Sequence, residues 1–176
     1  MTQKKIYLKS ILVIASICLV VGLLMAGVHA LTQPVIDRNE AEKQRKALAE
    51  LFPEASGFTE VTDLPAGAPD GVTALWRTEE GDGYVAAFAT NAGYGTSTFM
   101  VGVNADGTVR GLCTVSYGDS VSFGDGFVGE FAGRDAAGLD LISSASPAKY
   151  TRKAVKDAVS GILGWLAQSG CVKGGA

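Results

Sequence analysis

From Ser10 to Leu31 the chain carries no formally charged side chain. At 1.5 Å per residue, such a run is long enough as a helix to cross a hydrocarbon core of ~30 Å. Lys4, Lys5 and Lys9 precede it, and Asp37, Arg38 and Glu40 follow it. The positive-inside rule then places residues 1–9 in the cytoplasm, 10–31 in the membrane and the remainder outside. A cleaved signal peptide is the competing reading, with Val28-His29-Ala30 as its small-residue cleavage site, but the run exceeds the usual apolar region of about 7–15 residues. Either reading exports the rest of the chain. Residues 32–55 open on Pro34 and have a middle that is charged all round, so they predict a solvated juxtamembrane helix. Only Ala47, Leu48, Leu51 and Phe52 give it an apolar face, and Pro53 ends it.

Residues 56–176 form the expected extracytoplasmic domain. Ser56 to Gly71 is rich in proline and glycine and reads as a loop. Four stretches dense in β-branched and aromatic residues come after it: Val72 to Arg77, Tyr84 to Thr90, Phe99 to Asn104 and Thr108 to Tyr117. Asn104-Ala-Asp-Gly107 joins the last two as a hairpin, because Asp-Gly takes the positive φ that a tight turn requires. Near the C-terminus the period changes. Ala154, Val155, Ala158, Val159, Ile162, Leu163, Trp165 and Leu166 recur at three- and four-residue spacing, one apolar face of a helix. That helix is expected from about Pro147 to Gln168, with Ser146 as N-cap and Pro147 as its first residue, and with Ile162 and Trp165 on the buried side. The fold class is α+β: a membrane helix, then an antiparallel sheet with a packed C-terminal helix.

Composition narrows the chemistry. With 176 residues, 47% of them hydrophobic, the chain holds one ordinary domain once the membrane segment is subtracted. A net charge of −3 argues against a nucleic-acid surface, which needs a basic excess. Cys18, Cys113 and Cys171 are too few and too scattered for a disulfide framework or a metal cluster, although a Cys113–Cys171 bridge stays open. His29 is the single histidine and lies in the apolar run, so histidine-dependent hydrolases and histidine-rich zinc sites cannot be built in the domain.

Two stretches carry candidate chemistry. Between Gly118 and Gly138, six glycines alternate with Phe123, Phe127 and Phe131. Such a segment either lets backbone approach a flat ligand walled by aromatics or is a glycine-rich connection with core phenylalanines. The other is Asp140-Leu-Ile-Ser143-Ser144-Ala145-Ser146-Pro147, three hydroxyls just ahead of a basic helix start with Lys149, Arg152 and Lys153. A helix N-terminus with lysines beside it favours a phosphate.

The stretch Asp140-x-x-Ser143-x-Ala145-Ser146 resembles the flavin attachment motif of the FMN-binding subunits of two membrane electron-transfer complexes. These are the G subunit of Rnf and the C subunit of the sodium-translocating NADH:quinone reductase. Their pattern is Asp-x-x-Ser/Thr-Gly-Ala-Thr/Ser, and its last hydroxyl carries FMN through a phosphoester. Ser144 stands here where that family has glycine, and the segment from Ser146 to Ala154-Val155 is longer than the family's. Gly93-Tyr94-Gly95 and Val101 to Gly111 resemble the family's sheet, and Leu31 to Ala55 resembles the region just after the membrane helix of the Rnf G subunit. Asp119-Ser120-Val121-Ser122-Phe123-Gly124 occupies the place of the family's Glu-Thr-Pro-Gly-Leu-Gly, which lines the flavin.

The resemblance implies an electron-carrying subunit of an Rnf-type ion-translocating oxidoreductase. Covalent FMN would sit on Ser146, with Asp140, Ser143, Ala145, Lys149, Ser120, Phe123 and Gly124 around it. The implied partners are other integral-membrane subunits and, for maturation, a flavin transferase. A flavin-free subunit serving assembly or interaction outside the membrane is the alternative that the altered motifs motivate. Ser146-Pro-Ala-Lys149 also fits the Ser-x-x-Lys pattern of penicillin-recognising enzymes, but no Ser-Asp-Asn element follows it.

Overall fold

The computed structural model describes residues 2–92, 95–118, 122, 124, 126–143 and 148–173. Two compact units divide the chain, Met1–Glu42 and Lys43–Ala176.

The first unit lies within helix α1, Thr2–Leu51. Ile11, Leu12, Ile14, Leu19, Leu23, Leu24 and Met25 are all exposed on it. Such an exposed apolar surface is consistent with a membrane span, and among the described residues this is the one helix long and apolar enough to cross a membrane. Its hydroxyls are satisfied within the helix: Ser16 Oγ donates to the Val13 carbonyl at 2.8 Å and Thr32 Oγ1 to the Val28 carbonyl at 2.7 Å. That is the local bonding a hydroxyl needs where water is absent. Pro34 lies inside α1, so the membrane and juxtamembrane stretches belong to one helix, which ends before Phe52-Pro53 as expected.

In the second unit there are five strands: β1 (Phe58–Glu60), β2 (Val72–Thr78), β3 (Gly83–Asn91), β4 (Thr96–Asn104) and β5 (Val109–Ser116). They pair in sequence order, and every pair is antiparallel. The four predicted strands are present. β1 is an addition inside the stretch read as a loop; three residues among prolines and glycines give no periodic signal. The turn between β4 and β5 is the expected one, with Gly107 at φ +89 and Thr108 N–H donating to Asp106 Oδ1 at 2.9 Å. After β5 come a 3₁₀ turn, Val128–Phe131, a short helix α2, Ala136–Leu139, and helix α3, Lys149–Gln168.

Alternation along the strands splits the core in two. Leu75, Ala86, Phe88, Phe99, Val101, Val103 and Leu112 point to the face covered by α3, where they meet Val155, Val159, Ile162, Leu163, Trp165 and Leu166. Ile162 and Trp165 are buried as the stripe predicts, and Trp165 Nε1 donates to the Pro65 carbonyl at 3.2 Å, tying the 61–71 connection to the helix. Trp76, Val85, Ala87, Met100 and Cys113 point to the other face and meet Ala47, Leu48, Leu51 and Phe52 from the end of α1 and just beyond it. Cys113 and Cys171 are free and pack on opposite sides of the sheet.

Candidate flavin site

The segment leading to the attachment motif is held by its own backbone contacts. Gly133 N–H donates to the Val109 carbonyl and Val109 N–H to the Arg134 carbonyl, each at 2.7 Å, which fastens the 3₁₀ turn to β5. Arg134 then bridges forward, donating through Nε to the Glu130 carbonyl and through Nη1 to the Gly138 carbonyl at 3.0 Å. Asp135 caps α2 by accepting from Gly138 N–H at 2.7 Å. Asp140 closes α2, and its exposed carboxylate lies 3.4 Å from Lys156 Nζ. Ile142, 3% exposed, is itself anchored in the core, while Ser143 lies at the surface.

Helix α3 begins at Lys149, two residues later than the Ser-Pro pattern predicts, so Ser146 is not its N-cap and Pro147 is not its first residue. The reason is Ala148. Its backbone is left-handed, φ 54 and ψ 47, and its carbonyl accepts the first intrahelical bond, from Arg152 N–H at 2.9 Å. A left-handed alanine costs about 1–2 kcal/mol, and alanine has no polar side chain with which to cap this helix end. Ser146 and Ala145 lie outside the described residues, as do Ser120 and Phe123.

Of the predicted site residues, Ser143, Asp140, Lys149 and Gly124 are described. Ser143 is joined to α3 by Arg152, whose Nη1 donates to the Ser143 carbonyl at 3.1 Å. Asp140 is tied to α3 by Lys156, not by Lys149. Lys149 is exposed, with Nζ 5.9 Å from the centre of the Tyr150 ring. Gly124 has φ +86, a conformation that favours glycine, and its N–H donates to Ser122 Oγ at 3.2 Å. Phe127 and Phe131 are fully buried and meet edge to face at 5.2 Å, so these two belong to the core and cannot wall a ligand.

Arg152 is the residue that sequence reasoning undervalued. It appears there only as one of three nearby cations, yet it is 9% exposed and its guanidinium carbon lies 4.5 Å from the Phe127 ring centre. One signal could have singled it out: Arg152 stands three residues before Val155, in register with the apolar stripe of α3.

For a phosphate ester of FMN, the described residues supply cationic charge from Lys149 and Arg152, one turn apart, and a helix N-terminus whose N-cap is alanine. That donor set fits a phosphate. Beside β5, Lys43, Lys46, Ala47, Glu50, Leu112, Cys113 and Val128 are among the residues lining an open cleft of about 430 Å³. Burial first, then the Glu50 charge, pushes the Cys113 thiol up to about 11, so it stays protonated and unreactive near neutral pH. Among the described residues no group of histidine, cysteine and carboxylate side chains could hold a metal.

The fold and site thus define a class: a small α+β domain on a single apolar helix, with a hydroxyl-rich segment at the start of its packed helix. Residues 1–51 match the family described as the RnfG N-terminal region. The match covers that region alone, so the likeness to the RnfG family of the Rnf complex is one of residues 1–51. None of the curated proteins matches it.

Proposed function

We propose that this chain is an electron-carrying subunit of the Rnf complex that bears FMN as a phosphoester on Ser146, with residues 56–176 outside the membrane. The observation that carries the reading is the conjunction of an RnfG N-terminal region over residues 1–51 with the order Asp140, Ser143, Ala145, Ser146 in the domain after it. The basic residues before Ser10 support the orientation by the positive-inside rule. Bound there, FMN supplies the redox chemistry, and the protein's part is to hold it within reach of neighbouring carriers among the membrane subunits.

Esterifying a serine with a free phosphate in water is uphill, so the donor has to be an anhydride of FMN, a flavin dinucleotide. Ser146 Oγ forms the new bond to the FMN phosphorus while the pyrophosphate bond breaks. The adenylate leaves, and the hydroxyl proton passes to a base on the flavin transferase. Lys149 and Arg152 offset the negative charge of the ester. Asp140, held by Lys156, closes α2 and sets where the hydroxyl run begins.

The test is co-expression with the transferase followed by peptide mass spectrometry. The full chain is expected to carry one FMN, and Ser146→Ala to carry none. An adduct that persists on Ser146→Ala refutes the assignment of the residue. Absence of an adduct on the unmodified chain favours the flavin-free reading instead, which Ser144 in the glycine position motivates.

A further inference from the structure

We propose that the outer edge of β5 is a docking site for a short extended segment of a partner protein, one in which acidic and apolar side chains alternate. The inference stands apart from the flavin reading and uses none of its residues.

The backbone carries the first part of the argument. β5 is the last strand of the sheet, so one of its edges has no neighbouring strand. Among the described residues its outward backbone bonds are confined to Val109, which donates to the Arg134 carbonyl and accepts from Gly133 N–H, each at 2.7 Å. From Gly111 to Thr114 β5 follows β4 in unbroken register, between one shift at Gly102/Val103 and another at Thr98/Phe99. That regular stretch is about 13 Å long at ~3.3 Å per residue. Open edges invite other chains, and proteins blunt them with very short strands, proline or cover. β1, at the far end of the sheet, has only three residues, whereas β5 has eight and no proline.

Space and side chains identify the occupant. The open cleft of about 430 Å³ runs beside Leu112, Cys113, Thr114 and Val115. Paired strands lie about 4.8 Å apart, so a strand added to β5 falls in this cleft. Its two walls differ. On the face shared with the end of α1, Lys43, Lys46 and Ala47 line it together with Cys113 and Val115. Glu50 is the carboxylate of that lining and accepts from the Cys113 thiol, so lysines outnumber acids two to one there. On the α3 face the wall is Leu112 and Val128, both apolar. Successive side chains of a strand point to opposite faces. An added strand therefore turns every second side chain to the lysines, where a carboxylate is favoured, and the others to Leu112 and Val128, where an aliphatic group is favoured. In this mode of recognition main-chain hydrogen bonds supply affinity and the alternate side chains supply specificity. An anionic lipid surface shares the charge but brings no row of amides to the edge.

The experiment uses the full chain in detergent at low salt and an acetylated, amidated peptide of alternating glutamate and valine. Binding is read by titration and by the exchange of backbone amides. The peptide is expected to slow exchange within residues 111–116 and to leave β1 unchanged. The same side chains on a backbone with its amides N-methylated are expected to give no protection. Lysine in place of glutamate is expected to weaken binding by about tenfold or more, and Lys43→Glu combined with Lys46→Glu to reverse that preference. No protection of residues 111–116 by the glutamate–valine peptide overturns the inference. Equal binding of the N-methylated peptide overturns strand addition, and equal binding of the lysine peptide overturns the assigned chemistry. Protection that grows with protein concentration in the absence of peptide makes the occupant a second copy of this chain. Protection by anionic vesicles but not by peptide makes it a membrane surface, and either result overturns the proposal.

Discussion

The two faces of the sheet are closed in different ways. Under α3 the contact is large on large: Phe88 and Phe99 stack at 5.7 Å, and α3 lays a continuous aliphatic row across them. On the opposite face the end of α1 meets glycines. A methyl on Gly102 would come within 3.1 Å of Phe52, one on Gly111 within 3.1 Å of Leu51, and one on Gly83 within 2.6 Å of Phe52 and 2.5 Å of the Val103 carbonyl. The first face is filled by side chains from both partners, while the second joins Trp76, Val85 and Met100 to a glycine floor onto which Leu51 and Phe52 are set. Filled faces tolerate little loss of volume, and flat floors tolerate little gain.

The sharpest way to break that contrast is to remove volume from the filled face. Phe99→Ala leaves a cavity under α3 and is expected to cost about 3–5 kcal/mol, read by urea unfolding of the domain. A loss below about 1 kcal/mol would mean that α3 collapses onto the gap and that the face is not tightly filled.

Adding volume to the floor is the complementary change. Gly83→Ala puts a methyl against a backbone carbonyl that cannot swing away, and a cost of about 1–3 kcal/mol is expected from overpacking. An unchanged urea midpoint would show that the chain around Phe52 yields freely and that the floor is not a close contact.

The smallest effect sharpens the picture at the rim of the same floor. Arg110 covers Phe52 at 5.1 Å, donates to the Leu51 carbonyl at 3.2 Å and grips Glu54 through Nη2 at 2.6 and 2.7 Å. The Arg110 hydrogen bond holds the Glu54 carboxyl below its ordinary value of 4.5. A carboxylate with a lowered folded value lends stability above its ordinary value and loses it as the pH falls through the folded one. Glu54→Gln is therefore expected to lower the melting temperature by about 1 °C or less at pH 7 in low salt. The difference should vanish in high salt and once the pH has fallen below the lowered folded value. A difference that survives both conditions would come from packing and not from charge.

These contacts also explain what the sequence could and could not disclose. The α3 face was legible because Ile162 and Trp165 belong to a period that only a one-sided helix produces, and four strands were legible because β-branched residues crowd into short runs. The glycine floor was not, since Gly83, Gly102 and Gly111 in isolation read as weak points in strands and only the sheet register brings them under one helix end. β1 left no pattern in three residues. The start of α3 was misplaced because Ser146-Pro147 is a common way to open a helix, whereas a left-handed Ala148 has no signature in residue type. Of the candidate site, the motif spacing was readable from Asp140 to Ser146, but the link from Arg152 to Ser143 depends on how α3 is seated and is invisible in one dimension.

The order of the strands has a consequence for how the domain comes into being. Each of the three long hairpins closes over a short connection, 79–82, 92–95 or 105–108, so each pairing can form as soon as its second strand is available. Local closure of this kind is the cheapest in chain entropy and the quickest. A sheet emerging from its N-terminal side can therefore zip one strand at a time, with the end of α1 already present to cover one face. The other face has to wait for α3, the last long element made. Until then Phe88, Phe99 and Val101 stand open to solvent. Chain assembly thus puts a natural order on folding: under the flavin reading proposed above, the domain would be complete before its acceptor is presented.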